Sequence, residues 1–132
     1  MTDKTFIKND SQYPWEYEAG EEGRDDVIRW RTLLSGDKTP TKGVSMGTLE
    51  VPPGASLLSH YHSPLEVYYL TEGKGQLLCG ERIKNIRAGD IVYIPEKEIH
   101  GVKNISDHVL KLIWVFPRDN YYDIAYPQAP PL

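Results

Sequence analysis

Cysteine is nearly absent from this chain. Cys79 is the single one in 132 residues, so no disulfide can close within the chain and a zinc site built on thiolates is excluded. Cys79 itself is expected to behave as a small, buried apolar residue. Long apolar runs are missing as well. No segment is apolar for long enough to cross a bilayer, and the opening Met-Thr-Asp-Lys-Thr-Phe-Ile-Lys-Asn-Asp lacks the apolar stretch of a secretion signal. A cytoplasmic protein with no membrane partner is therefore expected. Neither sign of charge prevails. Fifteen Lys and Arg stand against nineteen Asp and Glu, a formal net charge of -4, and no long run of either sign offers a surface for nucleic acid. With thiolates ruled out, any metal site must draw on His, Asp, Glu or Tyr.

What the chain does have is enough apolar and aromatic material for one core. It is 39% hydrophobic, with nine Tyr and three Trp, and its length suits one compact domain rather than two. Residues 1–26 mix charges with Pro14, Gly20 and Gly23 and show no periodicity, which reads as an extended or loosely helical N-terminal arm able to cover a sheet edge or a neighbouring subunit. Residues 27–132 form the domain. Short runs rich in Val, Ile, Leu, Tyr and Trp are punctuated by Gly, Pro, Asp and Asn, the pattern of an all-β sandwich or barrel. Strands are expected at 28–33, 44–51, 57–62, 66–71, 76–79, 91–94 and 109–116. In the last, Leu110, Leu112, Trp114 and Phe116 alternate with Val109, Lys111, Ile113 and Val115, so both faces are largely apolar and the strand should be covered on both sides. Residues 125–132 carry Pro127, Pro130 and Pro131 and cannot pair as a central strand.

Four residues stand out as candidate metal ligands. His60 and His62 are two apart, and in a strand such residues share a face about 7 Å apart. After Ser63-Pro64 the chain re-enters a strand with Glu66 and Tyr68, again two apart and able to face the same interior, while Tyr69 should point the other way. His100 arrives later in a turn-rich segment. Taken singly, a His-x-His pair is an ordinary surface or core feature, Glu66 a solvated charge and His100 a loop histidine. Together, three imidazoles and one carboxylate suit Fe(II), Mn(II), Ni(II), Co(II) or Zn(II) better than calcium or magnesium, which favour all-oxygen shells. One divalent transition metal ion is the expected cofactor.

The glycines around these residues bring a family into view. Gly54, His60, His62, Glu66 and Gly73 match the first motif of the cupins at every defining spacing. Gly89, Pro95, His100 and Asn104 match the second, and Lys97 stands where the family usually has glycine. The chain thus resembles a single-domain cupin, a small antiparallel β-barrel or jelly roll, and the resemblance implies that His60, His62, Glu66 and His100 hold the metal inside it. The run from His60 to Tyr68, the Arg29-Trp30 region, the Ile113–Pro117 strand end and Tyr126 further resemble the small cupin lyases that cleave dimethylsulfoniopropionate. That likeness implies a β-elimination giving dimethyl sulfide and acrylate, with Tyr68 as the base and Tyr126 close to the substrate.

A phenol's ordinary pKa near 10 requires Tyr68 to be poised as a phenolate or to act on an activated water. A sulfonium would favour a cage of aromatic faces, for which Trp30, Tyr61, Tyr69, Tyr93, Trp114, Tyr121, Tyr122 and Tyr126 are candidates; Trp30 and Trp114 also read as core or interface residues, and Tyr68 and Tyr126 as packed tyrosines. Arg82, Lys84, Arg87 and Lys97 read as a solvated hairpin face. An Fe(II)-dependent dioxygenase and a non-catalytic small-molecule or sugar-binding cupin stay open as alternatives. A small carboxylate is the expected partner molecule, and the sheet edges and the outer face of 109–116 predict a homodimer.

Overall fold

The computed structural model describes residues 4–127. Nine strands follow the arm: β1 (Arg29–Leu34), β2 (Ser45–Val51), β3 (Ser56–His60), β4 (Glu66–Glu72), β5 (Lys74–Cys79), β6 (Arg82–Arg87), β7 (Ile91–Ile94), β8 (His100–Lys103) and β9 (Leu110–Phe116). They form a five-stranded sheet in the order β1-β2-β9-β4-β7 and a four-stranded sheet in the order β3-β8-β5-β6. Every pairing is antiparallel. The molecule is all-β, as its alternating runs require, and no helix among the described residues is long and apolar enough to cross a membrane.

The two sheets pack their apolar faces together. Leu49 and Val51 of β2, Leu70 of β4, and Leu110, Leu112 and Phe116 of β9 meet Leu77 of β5, Ile86 of β6 and Val102 of β8 in one buried cluster. Strict alternation explains which residues go in: along β2 and β9 every second side chain is buried and its neighbours are only half-covered. The outer face of β9, with Lys111, Ile113 and Val115, is therefore partly exposed in the single chain rather than fully covered. Tyr68 and Tyr69 separate as parity demands, Tyr68 at 1% and Tyr69 at 46% exposure.

The arm lies along the edge at β1. Glu16 and Trp30 form an antiparallel bridge with backbone hydrogen bonds of 2.7 and 3.0 Å, the Thr32 N–H donates to the Glu16 carboxylate at 2.8 Å, and the Trp15 ring lies against the guanidinium groups of Arg29 and Arg31, 3.8 and 3.9 Å away. An exposed strand edge is thereby closed.

Two strands escape a reading by pattern. β6, Arg-Ile-Lys-Asn-Ile-Arg, is an edge strand that buries only Ile86, so its charged residues do form an exposed hairpin face. Lys97 is not part of that face; it lies in the turn between β7 and β8. β8 is only four residues long, and it is a strand because β3 and β5 flank it. Cys79, expected to be buried, is half-exposed near the end of β5. Of the proline-bearing tail, residues 128–132 lie outside the described residues.

Candidate metal centre and its pocket

His60 closes β3, His62 follows just beyond its end, Ser63 and Pro64 make the bend, and Glu66 opens β4. His100 opens β8, where the pairing with β3 sets it opposite His60. A strand end, a bend and two strand beginnings therefore deliver the four side chains to one place. All four are buried, and one ligand atom from each lies within 4.8 Å of the others.

The histidine tautomers are set by the backbone. Nδ1 of His60 is 2.8 Å from the Leu58 carbonyl, Nδ1 of His62 is 2.8 Å from that of Pro64, and Nδ1 of His100 is 2.8 Å from that of Glu98. A carbonyl only accepts, so Nδ1 carries the proton and Nε2 keeps its lone pair. Yet Nε2 of His62 and of His100 stand 3.1 and 3.2 Å from Oε1 of Glu66, acceptor facing acceptor. A shared cation reconciles these contacts, and three neutral nitrogens with one carboxylate fit a first-row divalent ion. Burial, reinforced by the nearby His100, lowers the His60 pKa to about 4, which leaves that ring neutral and able to ligate near pH 7.

Lys97, where the resemblance led to an expected glycine, adopts the conformation a glycine would. Its φ is 63°, and its N–H donates to the His62 carbonyl at 2.9 Å. The turn before His100 is thus fastened to the loop that carries His62.

A cavity of about 350 Å³ opens over the ligands, with His60, Glu66 and Tyr68 at its base, Trp30, Trp114, Phe116, Tyr121 and Tyr126 as walls, and Glu18 and Leu58 toward its rim. Tyr68 is fully enclosed, and burial together with the adjacent Glu66 carboxylate holds its pKa well above the ordinary phenol value. Tyr126 faces the ligands from another side, its ring 5.3 Å from that of His62 and 5.5 Å from that of His60. Burial raises its pKa as well, and that of the neighbouring Tyr121. Both tyrosines singled out in the sequence therefore reach the metal candidates.

Of the aromatic candidates, Trp30, Trp114, Tyr121 and Tyr126 line the cavity, whereas Tyr61, Tyr69, Tyr93 and Tyr122 do not. The two tryptophans are both packed residues and pocket walls. Phe116, with its ring 5.0 Å from His62 and edge-on to it, and Glu18 were not foreseen. For Phe116 the signal was parity with Trp114 on β9; for Glu18 it was the density of acids in the arm.

Residues 47–116 match the cupin domain family model. Over 74 residues the chain is 38% identical to the dimethylsulfoniopropionate lyase DddW of Ruegeria pomeroyi, covering 56% of this chain and 49% of that protein. It is 31% identical over 94 residues to the oxalate decarboxylase OxdC of Bacillus subtilis, covering 67% of this chain and 24% of that protein, whose Mn(II) centres have been described in a structure that superposes at a TM-score of 0.68, with 26% identity over 80% of this chain and 29% of that one. The matches thus span about half of the lyase and a quarter of the decarboxylase. The fold is also that of the polyketide cyclase RemF of Streptomyces resistomycificus, with a TM-score of 0.79 and 18% identity over 97% of this chain and 87% of that one.

Proposed function

The chain belongs to the cupin domain family, and from that premise we propose that it is a metal-dependent lyase that cleaves dimethylsulfoniopropionate into dimethyl sulfide and acrylate. One observation carries this choice. The cavity over the ligand group is walled by aromatic and aliphatic side chains, bears three tyrosines and has no Lys or Arg among the described residues of its lining. A sulfonium is tolerated and attracted by aromatic faces, whereas a dicarboxylate such as oxalate would find no cationic side chain for its second charge.

His60, His62, Glu66 and His100 would hold the ion, which when bound offsets the substrate's carboxylate charge and makes the neighbouring C–H more acidic. The chain's own residues do the rest. Tyr68, at the floor of the cavity, takes the proton from the carbon next to the carboxylate. The electron pair left behind forms the new C=C bond while the C–S bond breaks toward sulfur, so neutral dimethyl sulfide leaves, acrylate keeps the carboxylate and the proton stays on the phenol oxygen. Since burial and Glu66 keep Tyr68 protonated in the protein alone, it is a base only with a compensating positive charge beside it. Tyr126 and Tyr121 close the cavity and limit water around the carbanion-like centre.

Headspace detection of dimethyl sulfide from metal-loaded protein and dimethylsulfoniopropionate tests the reading. Wild type should release it without consuming oxygen, and Tyr68→Phe should lower turnover at least a hundredfold, the usual range for a lost general base. Full loss in Tyr126→Phe with Tyr68→Phe active would transfer the base role to Tyr126. No sulfide from wild type would end the lyase reading, and Fe(II)-dependent oxygen uptake would favour a dioxygenase.

A further inference from the structure

The elimination chemistry uses the buried end of the cavity and leaves the rim without a role. Glu18 and Leu58 form part of that rim, and both are exposed. They also border a neighbouring groove lined by Glu21, Asp26 and Ile28, so the cavity opens beside an acidic surface. The arm supplies it: Glu16, Glu18, Glu21, Glu22, Asp25 and Asp26 lie within one short stretch in which Arg24 is the only base. Several of these acids have partners. Glu16 accepts from Thr32 and Tyr122, and Asp26 pairs with Arg24 at 2.8 Å. Glu18 is the carboxylate that reaches the cavity.

The cavity that Glu18 shares with the ligand group is also lined by the rings of Trp30, Trp114, Tyr121 and Tyr126, and no Lys or Arg among the described residues interrupts the lining. Trp30 takes part with its Nε1 buried and without a hydrogen-bond partner. The cavity is therefore polarised. Its floor is built for a metal that receives an anionic group, its walls present aromatic faces that attract cations, and its rim carries a negative charge whose field such walls screen poorly.

We propose that Glu18 is a specificity-determining residue, selecting short zwitterions whose permanent cation lies at the end away from the carboxylate. The assignment rests on this cavity being the substrate site of the proposed lyase. A sulfonium or quaternary ammonium two carbons from a carboxylate places its charge toward the rim while the carboxylate points to the floor. A dianion would be repelled at the rim. Glu18 needs no contact with the reacting atoms, so its effect belongs in binding rather than in the chemical step.

The test uses two isosteric probes that do not release dimethyl sulfide, 3-(trimethylammonio)propionate and 4,4-dimethylpentanoate, which differ in one charge. Both are titrated calorimetrically into metal-loaded full-length protein. Wild type should bind the ammonium probe more tightly, and Glu18→Gln should shrink that preference about three- to fivefold, as expected for an exposed charge, chiefly by weakening the ammonium probe rather than the carboxylate that lacks the cation. The preference should also fall as salt rises. Glu22→Gln, an arm carboxylate outside the cavity lining, should leave it intact. Equal affinity of wild type for the two probes, an unchanged ratio in Glu18→Gln, or an equal loss in Glu22→Gln would each overturn the assignment. Charge selection without dimethyl sulfide release would uphold Glu18 and reject the lyase, so the two failures are distinguishable.

Discussion

Lys97 shows at the scale of one residue how a motif position can be met by an unusual side chain. A residue with a Cβ in the left-handed region is strained by about 1 kcal/mol or more, and here the strain secures the N–H bond to the His62 carbonyl. Lys97→Gly should therefore raise stability by roughly 0.5 kcal/mol, after allowing for the added freedom of glycine in the unfolded chain; a urea midpoint no higher than wild type would contradict this. Tyr121 makes a second case. Burial raises its pKa, so the folded state keeps a proton that the unfolded chain releases above about pH 10. The sign follows: its contribution is complete below that pH and is lost as pH climbs toward the folded value. Urea midpoints taken from pH 8 to 11 should fall above pH 10, and less steeply in Tyr121→Phe. At this scale the ligands were legible because His-x-His, Glu66 and His100 are spaced along strands and their ends, while the Nδ1 partners were not, since backbone carbonyls leave no mark in a sequence.

Among the elements, the β1–β2–β9 layer governs the shape of the pocket. Gly47 of β2 pairs with Trp114 of β9, and a Cβ placed there would stand 2.1 Å from the Arg31 carbonyl oxygen and 2.3 Å from Cζ2 of Trp114. Neither the β1 backbone nor a packed indole can yield cheaply. Gly47→Ala should cost about 1–3 kcal/mol and shift the tryptophan emission spectrum; unaltered stability would show that the wall is soft. The strong strands were readable because each alternates cleanly, as β2 and β9 do. β6 and β8 were not. Their side chains carry little apolar contrast, and what makes them strands is the set of backbone donors and acceptors that β5 and β3 present to them.

For the whole molecule, an apolar surface without a cover is the outer face of the five-stranded sheet near β7. Ile91 at 71%, Tyr93 at 63% and Tyr69 at 46% exposure lie beside Val67, Ile113 and Val115 by the registers of β4 with β7 and β9, and β7 is the sheet's free edge. We propose that a second copy of the chain covers this face, because an apolar row at an open edge can continue both the sheet and its burial. Light scattering during size exclusion should give twice the 15.1 kDa chain mass at micromolar concentration, and Tyr93→Lys should shift it toward the single-chain value; a monomeric wild type would refute the dimer. The sequence by itself determined the strand alternation and the opposite aims of Tyr68 and Tyr69, since these depend on spacing along one strand, and the four candidate ligands, since side-chain type and motif spacing mark them. Only the tertiary structure decided which of the other aromatic rings surround the site and that Glu18 of the arm stands at its rim. Those neighbours are brought together by sheet packing and by the docking of the arm on β1, and distance in space between such segments is not encoded in any local period.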